Sequence, residues 1–172
     1  VDWSSFDIKR PQDLGLQKRR TPRPHQKEAL TDVVKGLSEA ERGKLIMACG
    51  TGKTFTALVI AEALAPKGHV LFLVPSLSLM SQTLREWTAW SKNPIHSLAV
   101  CSDASIGKKK NTTGEDDKAD ITTYDLAFPA TTSARQIVRQ YQAVQAMAEK
   151  KKMPEQMTVV FSTYQSIQAV SE

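Results

Sequence analysis

Two hydrophobic periods alternate along the chain, and their alternation predicts its architecture. From Pro24 to about Leu37, Ala29, Leu30, Val33, Val34 and Leu37 recur at helical spacing and predict an amphipathic helix. Lys44 to Ala48 is a short apolar run suited to a buried strand. Gly50 and Gly52 interrupt it, and Lys53 to Ala65 resumes as a mostly apolar helix closed by Pro66 and Gly68. Val70 to Val74 reads as a second buried strand, ended by Pro75. Leu77 to Trp90 reads as a third helix with Ser76 at its N-cap. Ile95 to Val100 gives another strand, Ser133 to Lys151 a helix with Ile137, Tyr141, Val144 and Ala148 on one face, and Met157 to Phe161 a last strand. Thr163 to Val170 then starts a short helix. Strand and helix alternating every dozen residues predict an α/β fold, a parallel sheet covered on both faces.

Two stretches stand outside this pattern. Residues 1–22 carry Pro11, Gly15 and Pro22 without periodicity and read as an irregular basic lead-in, so the ordered unit is expected over 23–172. Residues 102–130 form a polar loop of about 29 residues, long enough to be functional rather than a simple connection. Trp87 and Trp90, three apart on a helix, read as packing residues.

Composition narrows the class. The 172 residues are 41% hydrophobic and 24% charged, which excludes a disordered or collagen-like chain. No apolar run is long enough to span a bilayer, and Val1-Asp2-Trp3-Ser4-Ser5 is not a secretory signal, so a cytoplasmic protein without a membrane partner is expected. Two cysteines make neither a disulfide framework nor a four-ligand zinc site. The formal charge of +5 is uneven. Lys9 to Lys27 holds seven basic residues and one acid, and the remainder nets −1. Such a block forms a solvated basic face or meets phosphate, and segment 9–27 is expected to lie near the nucleotide or the nucleic acid.

The most specific chemistry lies in Met47-Ala48-Cys49-Gly50-Thr51-Gly52-Lys53-Thr54, which matches the phosphate-loop pattern G-x-x-x-x-G-K-[ST] at every position but the first, where Met47 replaces Gly. Gly50 and Gly52 let main-chain N–H groups of Cys49 to Lys53 turn inward around an anion. The helix starting at Lys53 points its positive end at the same place. Lys53 then reaches the β- and γ-phosphates, and the Thr54 hydroxyl ligates Mg²⁺. The expected cofactors are therefore ATP and Mg²⁺, with Cys49, Gly50, Thr51, Gly52, Lys53 and Thr54 around them, and Lys53 and Thr54 the catalytic pair. A chance glycine turn is the competing reading. Cys49 reads as a small loop-packing residue rather than a nucleophile, with no His or acid beside it in sequence.

Taken together, Arg23-Pro24-His25-Gln26, the loop 47–54, Phe72 to Gln82 and Val160 to Ile167 resemble consecutive motifs of superfamily-2 helicases, in the branch of type III restriction-enzyme helicase subunits. Residues 102–166, with Asp125-Leu126-Ala127-Phe128-Pro129-Ala130-Thr131-Thr132, are also similar to large single-chain restriction–modification enzymes. The resemblance implies a RecA-like three-layer P-loop domain and an ATP-dependent DNA helicase or double-strand translocase acting on double- or single-stranded DNA. It implies adenine recognition by Arg23 and Gln26, with the Gln amide pairing to the base edge. His25 reads as a surface or capping residue. It also implies nucleic-acid contacts by Pro75, Ser76, Ser78 and Gln82, and by Ser162, Thr163, Tyr164 and Gln165, although a lone Tyr is read first as a core-packing residue. Ser76 can cap its helix and meet a phosphate at once.

The acidic D-E-x-H tetrad that such motors use to hold Mg²⁺ and orient water does not occur in the sequence. The expectation is a first motor domain truncated before its catalytic acid, inactive or weak as an ATPase alone, and working with the remaining domains of the same polypeptide. A small-molecule P-loop kinase and a non-catalytic nucleic-acid-binding module are the alternatives.

Overall fold

The computed structural model describes residues 19–101, 130–150 and 156–171. The lead-in before Arg19, and all of the expected polar loop except Ala130, lie outside them. Five helices and three strands follow in the order α1 (Pro24–Glu39), α2 (Lys53–Leu64), β1 (His69–Val74), α3 (Leu77–Trp90), β2 (His96–Val100), α4 (Ala134–Lys150), β3 (Thr158–Thr163) and α5 (Gln168–Ser171). A single 3₁₀ turn, Tyr164–Ser166, separates β3 from α5. The bounds of α1 to α4 and of the three strands fall within a residue or two of those the periodicity predicts, and α3 matches at both ends. The helix expected from Thr163 is instead a 3₁₀ turn followed by the short α5 from Gln168.

The strands form one parallel sheet in the order β1-β3-β2, so the last strand in sequence is the central one. Phe72 of β1 lies opposite Phe161 of β3, which lies opposite Ala99 of β2. On that face α3 packs down, burying Met80, Leu84 and Trp87 completely. The Trp87 ring meets Phe72 edge-on at 4.9 Å between centroids and Phe161 at 5.6 Å. Phe55 and Leu58 of α2 complete this core.

The register row Leu98, Val160 and Leu71 is unevenly covered. Leu98 is 2% exposed, Val160 is half-buried, and Leu71 is 46% exposed. Helix α4 packs on β2 and so serves the covered end of that row.

One expected element is absent. Residues 44–48 are irregular, not a strand, and Leu45 and Ile46 are 44% and 90% exposed. A strand needs a hydrogen-bonding neighbour, and among the described residues no strand pairs with this segment. Apolar character alone therefore leaves it extended over the surface.

Arg19 and Arg20, ahead of α1, are spent on protein contacts. Arg19 donates from Nε to the Trp90 carbonyl (3.0 Å) and pairs with Glu62, whose other oxygen receives the Lys92 main-chain N–H. Arg20 pairs with Glu86 at 3.3 Å and lies over the rings of Phe55 and Trp90. Both guanidinium groups thus fasten α2 to α3 rather than standing ready for phosphate, since a carboxylate and aromatic faces within reach satisfy them first.

Two outcomes follow from this packing. Leu84→Ala should cost roughly 2–5 kcal/mol, read as a lowered urea midpoint, because it empties a fully enclosed site. Burial holds the His96 imidazole below its ordinary pKa. The unfolded chain therefore takes up that proton first, and stability should fall as pH drops below about 6.5, flattening in His96→Gln. Urea midpoints across that range check it.

Candidate functional site

The loop between Ala48 and Lys53 is shaped by two glycines in the left-handed region, Gly50 at φ +77° and Gly52 at φ +81°. Gly52 is also the N-cap of α2 and offers no side chain to its first turn. Uncapped N–H groups at that end leave an electropositive mouth of the kind that receives phosphate. Lys53 is exposed, and its ammonium donates to the Ala48 carbonyl (3.1 Å), curled back over the loop. The same carbonyl accepts from the Thr51 hydroxyl at 2.7 Å. Thr54 is half-buried in the first turn behind it. The residue types and conformations present fit a magnesium-bound triphosphate: an amide-lined turn, a single mobile cation and a hydroxyl one residue later.

Helix α1 braces this loop. Pro24 starts the helix, and its fixed φ suits that position. The Arg23 N–H donates to Gln26 Oε1 (2.9 Å), while Gln26 Nε2 donates to the carbonyls of Thr51 (3.0 Å) and Gly52 (3.4 Å). His25 Nε2 also lies 3.0 Å from the Thr51 carbonyl. Gln26 is 4% exposed. In this conformation the Gln26 amide nitrogen rests on the loop carbonyls, so the expected pairing with an adenine edge requires it to leave them. Arg23 presents an exposed side chain at the same helix start. Cys49 is exposed, not packed as expected, because it sits at the turn of the loop where the chain bends away from its neighbours.

The two expected nucleic-acid segments emerge side by side. Val74 lies opposite Thr163 in the β1–β3 register, so the chains leaving β1 and β3 start as neighbours. In the first segment Pro75, Ser76, Ser78 and Gln82 are all exposed. Ser76 Oγ accepts the Leu79 N–H (3.3 Å) and lies 3.2 Å from the Ser78 hydroxyl, so it caps α3 while remaining accessible. Ser81, one residue before Gln82, is buried with no partner for its hydroxyl among the described residues.

In the second segment the structure divides the expected residues. Tyr164, 57% exposed, and Gln165 face solvent, so the tyrosine is not a core residue. Ser162 and Thr163 are turned inward, 0% and 4% exposed. The Ser162 hydroxyl donates to the Thr163 carbonyl and the Thr163 hydroxyl to Ser166 Oγ. Their side chains are thereby withdrawn from direct phosphate contact. They end a central strand, where inward-facing side chains are enclosed.

Sequence reasoning passed over Trp87 as mere packing. Its indole N–H donates to the Thr54 carbonyl (3.0 Å), in the first turn of α2. The only advance signal is general: a buried indole must find an acceptor.

A parallel sheet with a phosphate loop opening α2, and polar segments at the ends of neighbouring strands, is the arrangement of the RecA-like domains found in superfamily-2 helicases. The chain belongs to the family described as type III restriction enzyme, res subunit, which matches residues 19–172. Among solved structures it is similar to two restriction–modification enzymes. One is the Type ISP restriction–modification enzyme LlaBIII bound to DNA, with TM-score 0.72 and 38% identity over 99% of this chain and 10% of that one. The other is a nuclease-deletion mutant of LlaGI in complex with a DNA substrate mimic, with TM-score 0.68 and 40% identity over 88% and 13%. The African swine fever virus protein named "Probable helicase A859L" (Tick/Malawi isolate) is 40% identical over 81 residues, 47% of this chain and 9% of that protein. The chain thus spans about a tenth of the length of these relatives. Among the described residues no helix is long and apolar enough to cross a membrane.

The two glycines should differ in tolerance. A Cβ on Gly52 would meet Gln26 Nε2 at 2.6 Å, whereas one on Gly50 would meet nothing within 4 Å. Gly50→Ala should cost about 1–2 kcal/mol, the left-handed backbone penalty alone. Gly52→Ala should cost more and also loosen nucleotide binding. Melting temperatures and fluorescent-ATP titrations of both variants check this.

Proposed function

We propose that this chain is the ATP-binding part of a DNA helicase or double-strand DNA translocase of restriction–modification or related defence type, working in the cytoplasm. The observation that carries the reading is the loop itself. Two left-handed glycines open an uncapped helix N-terminus, and Lys53 is held only by a carbonyl it can leave. On binding ATP, Lys53 exchanges Ala48 for the β- and γ-phosphates while the amides of Gly50 to Lys53 surround them. Mg²⁺, when bound through the Thr54 hydroxyl, supplies positive charge for the phosphate oxygens. Gln26 and His25 keep the loop in shape, and Arg23 stands where it can meet the nucleoside.

The Type ISP neighbours, solved with DNA or a mimic of it, support DNA as the polymer. Ser76, Ser78, Gln82 and Gln165 are exposed where strands β1 and β3 end, and suit phosphate oxygens, which position a nucleic acid without reading its sequence. Tyr164 offers a stacking face beside them. The sequence contains no Asp-Glu-x-His tetrad, and no cluster of three potential metal ligands occurs among the described residues. Lacking that tetrad, the 172-residue chain alone is expected to bind nucleotide but hydrolyse it slowly.

Lys53→Ala in the longest natural polypeptide containing this chain should lower DNA-stimulated phosphate release roughly a hundredfold or more. Release at the wild-type rate would refute the reading. A normal motor rate from the 172-residue chain alone would refute the role given to the absent tetrad.

A further inference from the structure

Trp87 does more than fill the core. Its ring is fully enclosed, yet its N–H is spent on the Thr54 carbonyl, in the helical turn that carries the phosphate-loop lysine and hydroxyl. Its faces and edges meet Phe72 and Phe161, themselves 6.0 Å apart between centroids. Phe72 lies three residues before Pro75, and Phe161 immediately precedes Ser162. The helix bearing Trp87 begins at the exposed Ser76–Ser78 pair. One side chain therefore touches the nucleotide helix and both strands from which the two polar segments emerge.

The surrounding contacts make this link stiff. Arg19 holds Glu62 of α2 and the Trp90 carbonyl of α3, and Arg20 spans Phe55 and Glu86. Helices α2 and α3 are thus joined by the arginines and again by the indole. These contacts form a route by which a displacement of the first turn of α2 would reach α3 and the ends of β1 and β3. The indole nitrogen can only donate, so wherever the Thr54 carbonyl moves this enclosed N–H still needs an acceptor. An enclosed N–H left without an acceptor is costly, which ties the position of Trp87 to that of Thr54.

We propose that Trp87 is a positioning residue that couples occupancy of the 49–54 loop to the grip of segments 75–82 and 164–165 on DNA. This rests on the function proposed above and deepens it, since it names the side chain through which nucleotide regulates DNA affinity. Such coupling is a free energy shared by two sites, and it must act equally in both directions.

The test is the ratio of duplex-DNA dissociation constants without and with a non-hydrolysable ATP analogue and Mg²⁺. It is measured by fluorescence anisotropy on the longest natural polypeptide containing this chain. The wild-type ratio should differ from one, and Trp87→Phe, which keeps a ring but loses the N–H, should bring it roughly three- to tenfold closer to one. The reciprocal ratio for analogue binding, without and with DNA, should shrink by the same factor. Replacing Trp87 with β-(3-benzothienyl)alanine, which puts sulfur where the N–H stood and keeps the shape, should reproduce the loss with the core intact. A residue acting only through packing would be insensitive to this isosteric change. A wild-type ratio of one, or a ratio unchanged by both replacements, overturns the proposal. If Lys53→Ala leaves analogue binding unaltered, the function itself falls and this inference with it. If Lys53→Ala abolishes analogue binding while both Trp87 replacements keep the wild-type ratio, only the coupling through Trp87 fails.

Discussion

Much of this structure depends on keeping the start of α2 open. A helix N-terminus left without a capping side chain is unfavourable in isolation, and nearly every contact near the loop maintains that opening without closing it. Gly52 caps with no side chain, Gln26 and His25 hold the Thr51 and Gly52 carbonyls from the outside, and the Thr51 hydroxyl and Lys53 ammonium fold back onto Ala48. None of these groups takes the amides that a triphosphate would use. The loop is pre-shaped, and the groups that shape it lie on α1 and on the loop itself, so nucleotide can enter without dismantling its support.

The layering was readable from pattern alone because α1, α3 and α4 each carry an apolar stripe, α2 is apolar nearly all round, and each paired strand is a near-continuous apolar run. Leu77 to Trp90 needed nothing beyond a serine cap and a 3.6-residue repeat. The run at 44–48 shows where that reasoning stops. Its composition matches β1 and β3, but a strand is a property of two segments, and the partner is not encoded in the five residues themselves. The site divides in the same way. Gly50, Gly52, Lys53 and Thr54 were legible because phosphate chemistry demands those types at fixed spacing. The burial of Ser162 and Thr163 and the exposure of Tyr164 were not, because which end-of-strand side chains turn inward depends on what packs across them.

The basic residues make the same point about charge. Arg19 and Arg20 belong to a run whose excess positive charge invites a reading as a phosphate surface. Their geometry instead joins two helices through Glu62, Glu86 and two aromatic rings. Net charge counts groups without knowing their neighbours, and a guanidinium that finds a carboxylate within its own fold contributes little field to a distant ligand.

The bareness of Leu71 at the margin of the sheet has a colloidal consequence. Among the described residues β1 is a terminal strand, so one row of its peptide groups has no ladder partner beside an apolar side chain that water must cover. Such a border is a template for adhesion between molecules. Handled at high concentration, the 172-residue chain will tend to stick edge to edge, and fusing a charged solubilising segment nearby is the natural remedy.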